Sequence, residues 1–431
     1  MKKKKINIAI VGLGNIGSYL YQYLEKNKKN IKKKTNVDIN ILLVSARNKK
    51  KNRGFKIPKN KWCNSYLEAA SNKNVDLVVE LIGGAEGAAK NLVFSALNNK
   101  KNVVTANKAL ISKYGDTLAK IAEKNKVNLE FEAAVCGGLP IIRTLKEGLI
   151  ANSISKIYGI FNGTSNYILS SMDKNDIDFT EALNKAKKLG YAESDPSSDL
   201  NGDDVASKLK ILTSLSFNSY INSSNITVEG IHDIDKTDIT NANNLGYKIK
   251  LLGVSEINNK KVTQRVHPCL IDKFSYIANI NGVLNAVIID GVPVGQTVVQ
   301  GEGAGPKATT SALVSDISSI LRGNIKFPFT LSDKERRIIK FDRISNKIFS
   351  AYMRFDVIDK YGVLSDITNI MAKNKVSIKR LIQNPFRSKK YSSIVIISHK
   401  TKDLNIQNVI KKISLKNYLV RKPKLIRIES I

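Results

Sequence analysis

Short runs rich in Val, Ile and Leu alternate along the first third of the chain with segments whose apolar residues fall at helical spacing. The runs at 6–11, 39–44, 75–81, 102–105 and 128–132 read as strands. Between the first two, Tyr19, Leu20, Tyr23 and Leu24 mark a helix. This order is what a parallel α/β sheet requires. From about Pro140 the pattern changes, with strand-like stretches at 153–161, 247–254, 262–266 and 284–290 mixed with helices. That mixture predicts an α+β unit with an open sheet, not a second doubly wound domain. A Lys/Arg-rich segment at 326–347 reads as a linker. The tail then runs strand (351–358), turn (359–362), helix (363–373), two strands (377–383, 392–398), helix and strand, a small ferredoxin-like βαββαβ unit.

Two motifs give this frame a chemistry. GLGNIG (12–17) directly follows the first strand and opens a helix. In that context Gly12 makes the turn, Gly14 lets the backbone approach a pyrophosphate and Gly17 permits close helix packing, which predicts a dinucleotide-binding Rossmann domain. At the end of the second strand, where an acid would bind the ribose 2′-OH of NAD, the chain has Ser45, Ala46, Arg47 and Asn48. Arg47 with lysines behind it favours NADP, with NAD as the alternative should Arg47 be one more basic loop residue. The second motif is GYAESDPSSDLNGDDVASK (190–208), in which four Asp and one Glu converge on Lys208. Asp203 and Asp204 open an apolar-periodic segment (Val205, Ala206, Leu209, Ile211, Leu212), so the acids fall at a helix N-terminus where the dipole favours them. Asp204 and Lys208, four apart, share one helical face. By itself this is either a positioned proton donor or an ordinary capped helix with a surface ion pair.

Composition narrows the class. The 431 residues suffice for two or three domains, and the apolar fraction of 42% is ordinary. No apolar run approaches the roughly 20 residues that span a bilayer. Lys2–Lys5 resemble the start of a signal peptide, but the apolar stretch behind them is broken by Asn7 and ends in a Gly-rich turn, so a cytoplasmic protein with no membrane partner is expected. Three widely spaced cysteines and three scattered histidines exclude a disulfide framework and argue against a zinc site. The net charge of +33 would suit a nucleic-acid partner, yet the excess Lys is spread along the whole chain with Asn and Ile and no aromatic-interleaved basic motif occurs. No nucleic-acid role is expected.

In order, GLGNIG, VVELIGG (78–84), VVTANKALI (103–111), FEAAVCGGLPII (131–142), GIFNGTSNYIL (159–169), the 190–208 motif and GEGAGPKATTSALVSD (301–316) resemble the homoserine dehydrogenase family followed by a C-terminal ACT domain, over essentially the whole chain. The resemblance implies a Rossmann domain at 1–140 completed by 301–325, a catalytic and dimerisation domain at 141–300, a linker at 326–348 and a regulatory domain at 349–431, with no kinase domain ahead of Lys5. It implies an NAD(P)-dependent oxidoreductase interconverting L-aspartate 4-semialdehyde and L-homoserine. Carried over by matching position, Lys208 would donate a proton to the aldehyde oxygen and Lys108 would orient nicotinamide and substrate. Glu193 would hold the substrate ammonium, with Asp199 and Asp204 completing the pocket. Gly12, Leu13, Gly14, Asn15, Ile16, Gly17, Arg47, Thr105, Lys108 and Gly303 would contact the cofactor. Backbone carbonyls of Glu132, Val135, Gly137 and Leu139 would hold a monovalent cation such as Na+, a loop otherwise readable as a mere chain reversal before Pro140. The tail, with DKYGVLSDITNIMAKNKVSIKRLIQ (359–383), would bind an amino-acid effector, threonine first among them, in a homodimer or homotetramer. Truncation after Lys347 should then leave activity and remove regulation.

Overall fold

The computed structural model describes residues 5–221, 225–323, 326–385 and 390–431. Lys2–Lys4 of the basic start, residues 222–224 and the 324–325 end of the expected Rossmann completion lie outside the described residues. The protein is a mixed α/β structure built on two sheets. The first is wholly parallel: β1 (Lys5–Val11), β2 (Asp38–Ser45), β3 (Leu77–Glu80), β4 (Asn102–Thr105) and β5 (Leu129–Glu130) lie in the order β2-β1-β3-β4-β5. Consecutive strands β1 and β2 lie on one side and β3 on the other, so the chain changes direction beside β1 and leaves a ligand crevice at the strand ends there. The strand expected at 128–132 is shorter because the chain turns after Glu130 into a 3-10 turn at Glu132–Ala134. The late helix Pro306–Leu321 returns to this sheet, where Leu313 and Ile317 share one core with Ile8, Ile10, Leu20, Leu24 and Val79.

Among the described residues the second sheet has twelve strands. Those of the middle region are β6 (Ser153–Ile160), β7 (Ile226–Val228), β8 (Tyr247–Asn258), β9 (Lys261–Asp272), β10 (Leu284–Val292) and β11 (Gly295–Glu302). They are followed by β12 (Lys340–Phe341), β13 (Ile348–Ile358), β14 (Ile378–Pro385), β15 (Tyr391–Ser398), β16 (Thr401–Lys402) and β17 (Lys424–Ile428). Its main order is β11-β10-β6-β8-β9-β17-β13-β15-β14. The tail therefore has the expected ferredoxin-like arrangement, with helices Val363–Lys373 and Asp403–Ile413 between its strands. It is also continuous with the sheet of the middle region. One edge of β9 pairs with β8; the other is covered in succession by β12 at Lys261 and Val262, β7 at Gln264 to Val266, and β17 at Cys269 and Leu270. An uncovered edge of that length would invite pairing with another chain.

Side-chain contacts tie both the 326–348 segment and the tail to the rest of the structure. The supposed linker is anchored: Arg336, fully buried in its side chain, donates to Asp116, Ser214 Oγ and the Ser219 carbonyl, and its guanidinium lies 4.4 and 4.8 Å from the rings of Phe329 and Tyr220. Its cationic density suggested solvent, but one of those cations is the bolt between helices Lys108–Asn125 and Asp203–Phe217. Nor does the tail hang free. Glu429, just past β17, accepts from Arg265 at 2.6 and 2.9 Å and from His267 at 2.9 Å, and the Arg265 Nη1 also meets Glu256 at 2.5 Å. Burial opposes the charge on Glu429, but Arg265 and His267 hold its carboxyl well below the usual range. Truncation after Lys347 thus removes an internal strand and the counter-ion of a buried Arg. Replacing Glu429 with Ala should cost about 3–5 kcal/mol, the range for leaving one partner of a buried pair unmatched. Urea unfolding of the full-length chain measures this, and a loss under about 1 kcal/mol would show that the seam does not depend on the pair.

Candidate active site

The glycines of the first turn are fixed by space. Gly12 has φ +106, and a Cβ there would lie 2.3 Å from the Leu81 carbonyl; one on Gly17 would lie 1.9 Å from the Gly12 carbonyl. Gly14 has nothing within 4 Å, so the backbone at the start of helix Asn15–Thr35 is open to a bulky anion. Leu13 is buried and Ile16 packs partly into the core, while Asn15 lines a cavity of about 370 Å³ with Leu13, Ser18, Lys51, Arg53 and Pro306. Arg47 is exposed and lies outside that lining. The nearby Arg53, unremarked in the sequence, gives its guanidinium to the carbonyls of Leu13, Asn48, Lys49 and Lys51 and stacks 5.4 Å from Trp62. It shapes the basic loop; Lys51 and Arg47 make no side-chain hydrogen bond among the described residues.

At the ends of β3 and β4 a buried network sets the next loop. Glu80 accepts from Thr105 Oγ1 at 2.6 Å and from the N–H groups of Ile82 and Gly83 at 2.7 and 3.1 Å. Thr105 accepts from the Asn107 N–H, and Asn107 caps the helix Lys108–Asn125 through the Leu110 N–H at 3.0 Å. Lys108 is therefore delivered at the first position of that helix, with its ammonium 2.8 Å from Asp204 Oδ1.

Asp204 is the meeting point of both sheets. It opens helix Asp203–Phe217 after Gly202, and one turn later Lys208 places its Nζ 2.7 Å from Asp204 Oδ2 and 2.6 Å from the Phe161 carbonyl. Asn162 donates from one amide nitrogen to Asp204 Oδ2 at 2.9 Å and to Asp199 Oδ1 at 2.7 Å. Asn285 Nδ2 shares the Phe161 carbonyl at 3.1 Å. Burial alone would raise the Asp204 carboxyl, but Lys208 and Lys108 outweigh it and hold the group well below the carboxylate range. Burial would likewise lower Lys208; the Asp204 carboxylate beside it reverses the sign and keeps the ammonium above its ordinary value. An ammonium has three protons. Two are committed, which leaves one to aim at a ligand. Asn162, Phe161 and Asn285 were not assigned roles from the sequence: GIFNGTSNYIL contains the first two, but only tertiary proximity to the acidic motif shows what they do.

The loop 133–139 and the returning segment 301–305 close over this cluster. A Cβ on Gly137 (φ +43) would lie 2.4 Å from the Gly303 carbonyl, and one on Gly303 would strike the Asn285 amide at 2.1 Å. Cys136 beside them is fully buried, and burial pushes its thiol up to about 11, consistent with a small packing residue and not a nucleophile. The Glu132 side chain accepts from the Ile142 and Arg143 N–H groups at 2.7 and 2.8 Å; burial nevertheless pushes it up to about 7. Its carbonyl accepts from Val135 N–H at 3.3 Å, and that of Leu139 from Ile141 N–H at 2.9 Å. Each keeps a second lone pair. Among the described residues no three His, Cys, Asp or Glu side chains form a metal cluster, and no helix is long and apolar enough to cross a membrane. Glu193 is exposed on the loop before helix Ser197–Asn201 and, among the described residues, makes no hydrogen bond to the cluster.

Comparison with known proteins agrees with this geometry. Two family models match, "Homoserine dehydrogenase, NAD binding domain" over residues 12–132 and "Homoserine dehydrogenase" over residues 140–318, and an ACT domain model matches 351–414. A homoserine dehydrogenase of Neisseria gonorrhoeae is 38% identical, with 99% of each chain covered, and one of Helicobacter pylori is 37% identical over 99% of this chain and 100% of that one. The crystal structure of a homoserine dehydrogenase from Thiobacillus denitrificans superposes with a TM-score of 0.92 at 35% identity, covering 100% of both chains. One from S. aureus gives 0.76 at 33% identity, covering 99% and 100%. These matches, together spanning essentially the whole chain, place it in the homoserine dehydrogenase family of NAD(P)-dependent oxidoreductases, with a C-terminal ACT domain.

Proposed function

We propose that the enzyme reduces L-aspartate 4-semialdehyde to L-homoserine with NADPH, in the biosynthesis of threonine, methionine and isoleucine, and that the Lys108–Asp204–Lys208 cluster carries the proton side of that reaction. The cofactor, when bound along Gly12, Leu13, Gly14, Asn15, Ile16 and Gly17 with Thr105 and Gly303 at its other end, supplies the hydride. Lys208 gives its uncommitted proton to the aldehyde oxygen, and Asp204 keeps that nitrogen charged and fixed. Lys108, tied to the other oxygen of the same carboxylate and still partly exposed, orients the substrate against the cofactor. The substrate ammonium needs carboxylates, and Asp199, whose second oxygen makes no described hydrogen bond, together with the exposed Glu193 meets that need. Open space at Gly14 and the close packing of Gly12 and Gly17 support the dinucleotide. The turn at Gly137 supports a monovalent cation on the carbonyls of Glu132, Val135, Gly137 and Leu139.

Regulation by threonine through the tail is part of the same proposal. Gly362 (φ +84) begins helix Val363–Lys373 with no side-chain cap, which suits a ligand carboxylate, and the edge strand β14 exposes Leu381 and Ile382, which suits side-by-side pairing in a homodimer or homotetramer. The preference for NADP is assigned to Lys51 and Arg47 together, because Arg53 is already spent on backbone carbonyls.

The experiment that tests the central assignment is steady-state turnover of Lys208→Ala with aspartate semialdehyde and NADPH. Loss of general acid catalysis should lower kcat about 10²–10⁴-fold while the Kd for NADPH stays within about twofold. Retention of more than about a tenth of wild-type kcat would remove Lys208 from the role. For the cofactor, Lys51→Glu and Arg47→Asp should each reduce the NADPH over NADH ratio of kcat/KM about tenfold, since each replaces a cation at a 2′-phosphate with a repelling carboxylate. A ratio unchanged in both variants would refute the assignment.

A further inference from the structure

The acidic motif is held from behind by the C-terminal domain. Segment 229–232 lies against the turn joining helix Ser197–Asn201 to helix Asp203–Phe217. The Ile231 N–H donates to the Leu200 carbonyl at 2.9 Å, and His232 Nε2 bonds the Asn201 side chain. A Cβ on Gly230 would lie 2.4 Å from the Leu200 carbonyl, and one on Gly202 would lie 3.1 Å from both Val228 and Val266. Leu200 follows Asp199 directly, and Gly202 precedes Asp204 by two residues. Small displacements of this backing are therefore displacements of the pocket carboxylates.

The backing is fixed by one side chain from the tail. Arg427, 2% exposed in β17, places Nη1 2.8 Å from both carboxylate oxygens of Glu229, and its Nε is 2.6 Å from Asp403 Oδ1. Asp403 is itself fully buried in the first turn of helix Asp403–Ile413. The Glu229 N–H meanwhile donates to the Val266 carbonyl of β9 at 2.8 Å, three residues before Cys269, where Arg427 of β17 pairs with that strand. Glu229 is partly exposed, so its charge contributes little to stability. Its orientation is another matter, because the guanidinium that holds it cannot move without breaking the Asp403 pair.

We propose that Arg427 and Glu229 are positioning residues for the substrate: through the Ile231–Leu200 hydrogen bond they set Asp199 and the 200–204 turn, and so give the C-terminal domain a mechanical hold on the affinity for the zwitterionic aldehyde. The proposal rests on the reading of Asp199 as a substrate ligand. It differs from a purely structural role in its kinetic signature, since it acts on one substrate and not on the other.

The test uses full-length enzyme carrying Glu229→Gln, Glu229→Asp or Gly230→Ala, with initial rates over both substrates and thermal unfolding of the same samples. Glu229→Gln and Gly230→Ala should raise KM for aspartate semialdehyde about fivefold or more, with kcat and the KM for NADPH within about twofold, and Glu229→Asp, which keeps the charge, should recover part of the loss. The inference is overturned if a folded Glu229→Gln enzyme keeps the wild-type KM, or if kcat and both KM values move together with a lowered Tm. Asp199→Asn separates the two levels. If it raises KM and Glu229→Gln does not, only the hold from the tail fails; if Asp199→Asn leaves KM unchanged, the substrate-site reading fails and this inference with it.

Discussion

A single carboxylate, Asp204, is shared by two lysines that arrive from different sheets, and the site depends on that sharing. Lys108 comes from the first turn of a helix packed on the parallel sheet and Lys208 from a helix of the middle region, so the 2.8 and 2.7 Å ion pairs join the two parts of the molecule. Taking a carboxylate and an ammonium out of water is unfavourable, and one pair in isolation recovers little of that cost. Here the arrangement is supported by further hydrogen bonds: Asn162 adds an amide to Asp204, and the Phe161 carbonyl takes a second proton of Lys208. The result is a charged lysine inside the protein, with one proton free.

What surrounds the cluster keeps those atoms in place. Loop 133–139 meets segment 301–305 backbone against backbone at Gly137, and Gly303 is packed against the Asn285 side chain, with no room for a Cβ at either. These contacts bring the chain back from the middle region to the Rossmann sheet. On the far side β9 carries three docked segments in turn, and the last of them makes the ACT domain part of the same sheet as the middle region. The high positive charge plays little part in this: the cations that matter, Lys108, Lys208, Arg265, Arg336 and Arg427, each have named carboxylate partners.

Local spacing made some of this legible in the sequence. GLGNIG after a strand, and Asp204 four residues before Lys208 on a helix, are short-range patterns whose geometry follows from helix and turn rules. The ferredoxin-like tail was visible for the same reason. Features that depend on the fold were hidden. Nothing near Asn162 indicates that its amide will bridge two acids from two other helices, and Arg53 cannot be told from Arg47 until the loop is folded against Leu13. Cationic density at 326–347 suggested solvent and concealed Arg336. The strand β11 was overlooked because it is a half-exposed edge, Gly at its start and few apolar residues within. Charge gave no hint that β17 would enter the catalytic sheet, since its Arg427 reads as one more surface cation.

The account turns on Asp204 holding Lys208 charged, and the pH dependence of kcat/KM in Asp204→Asn measures that directly. With the carboxylate gone, the burial that lowers Lys208 is opposed only by the lesser effects of Cys136 and Asp199, so the basic limb of the reductive reaction should move to lower pH by about one unit or more, with turnover reduced throughout. A profile that superimposes on the wild type in its basic limb would contradict the account, because it would show that the proton donor does not feel Asp204.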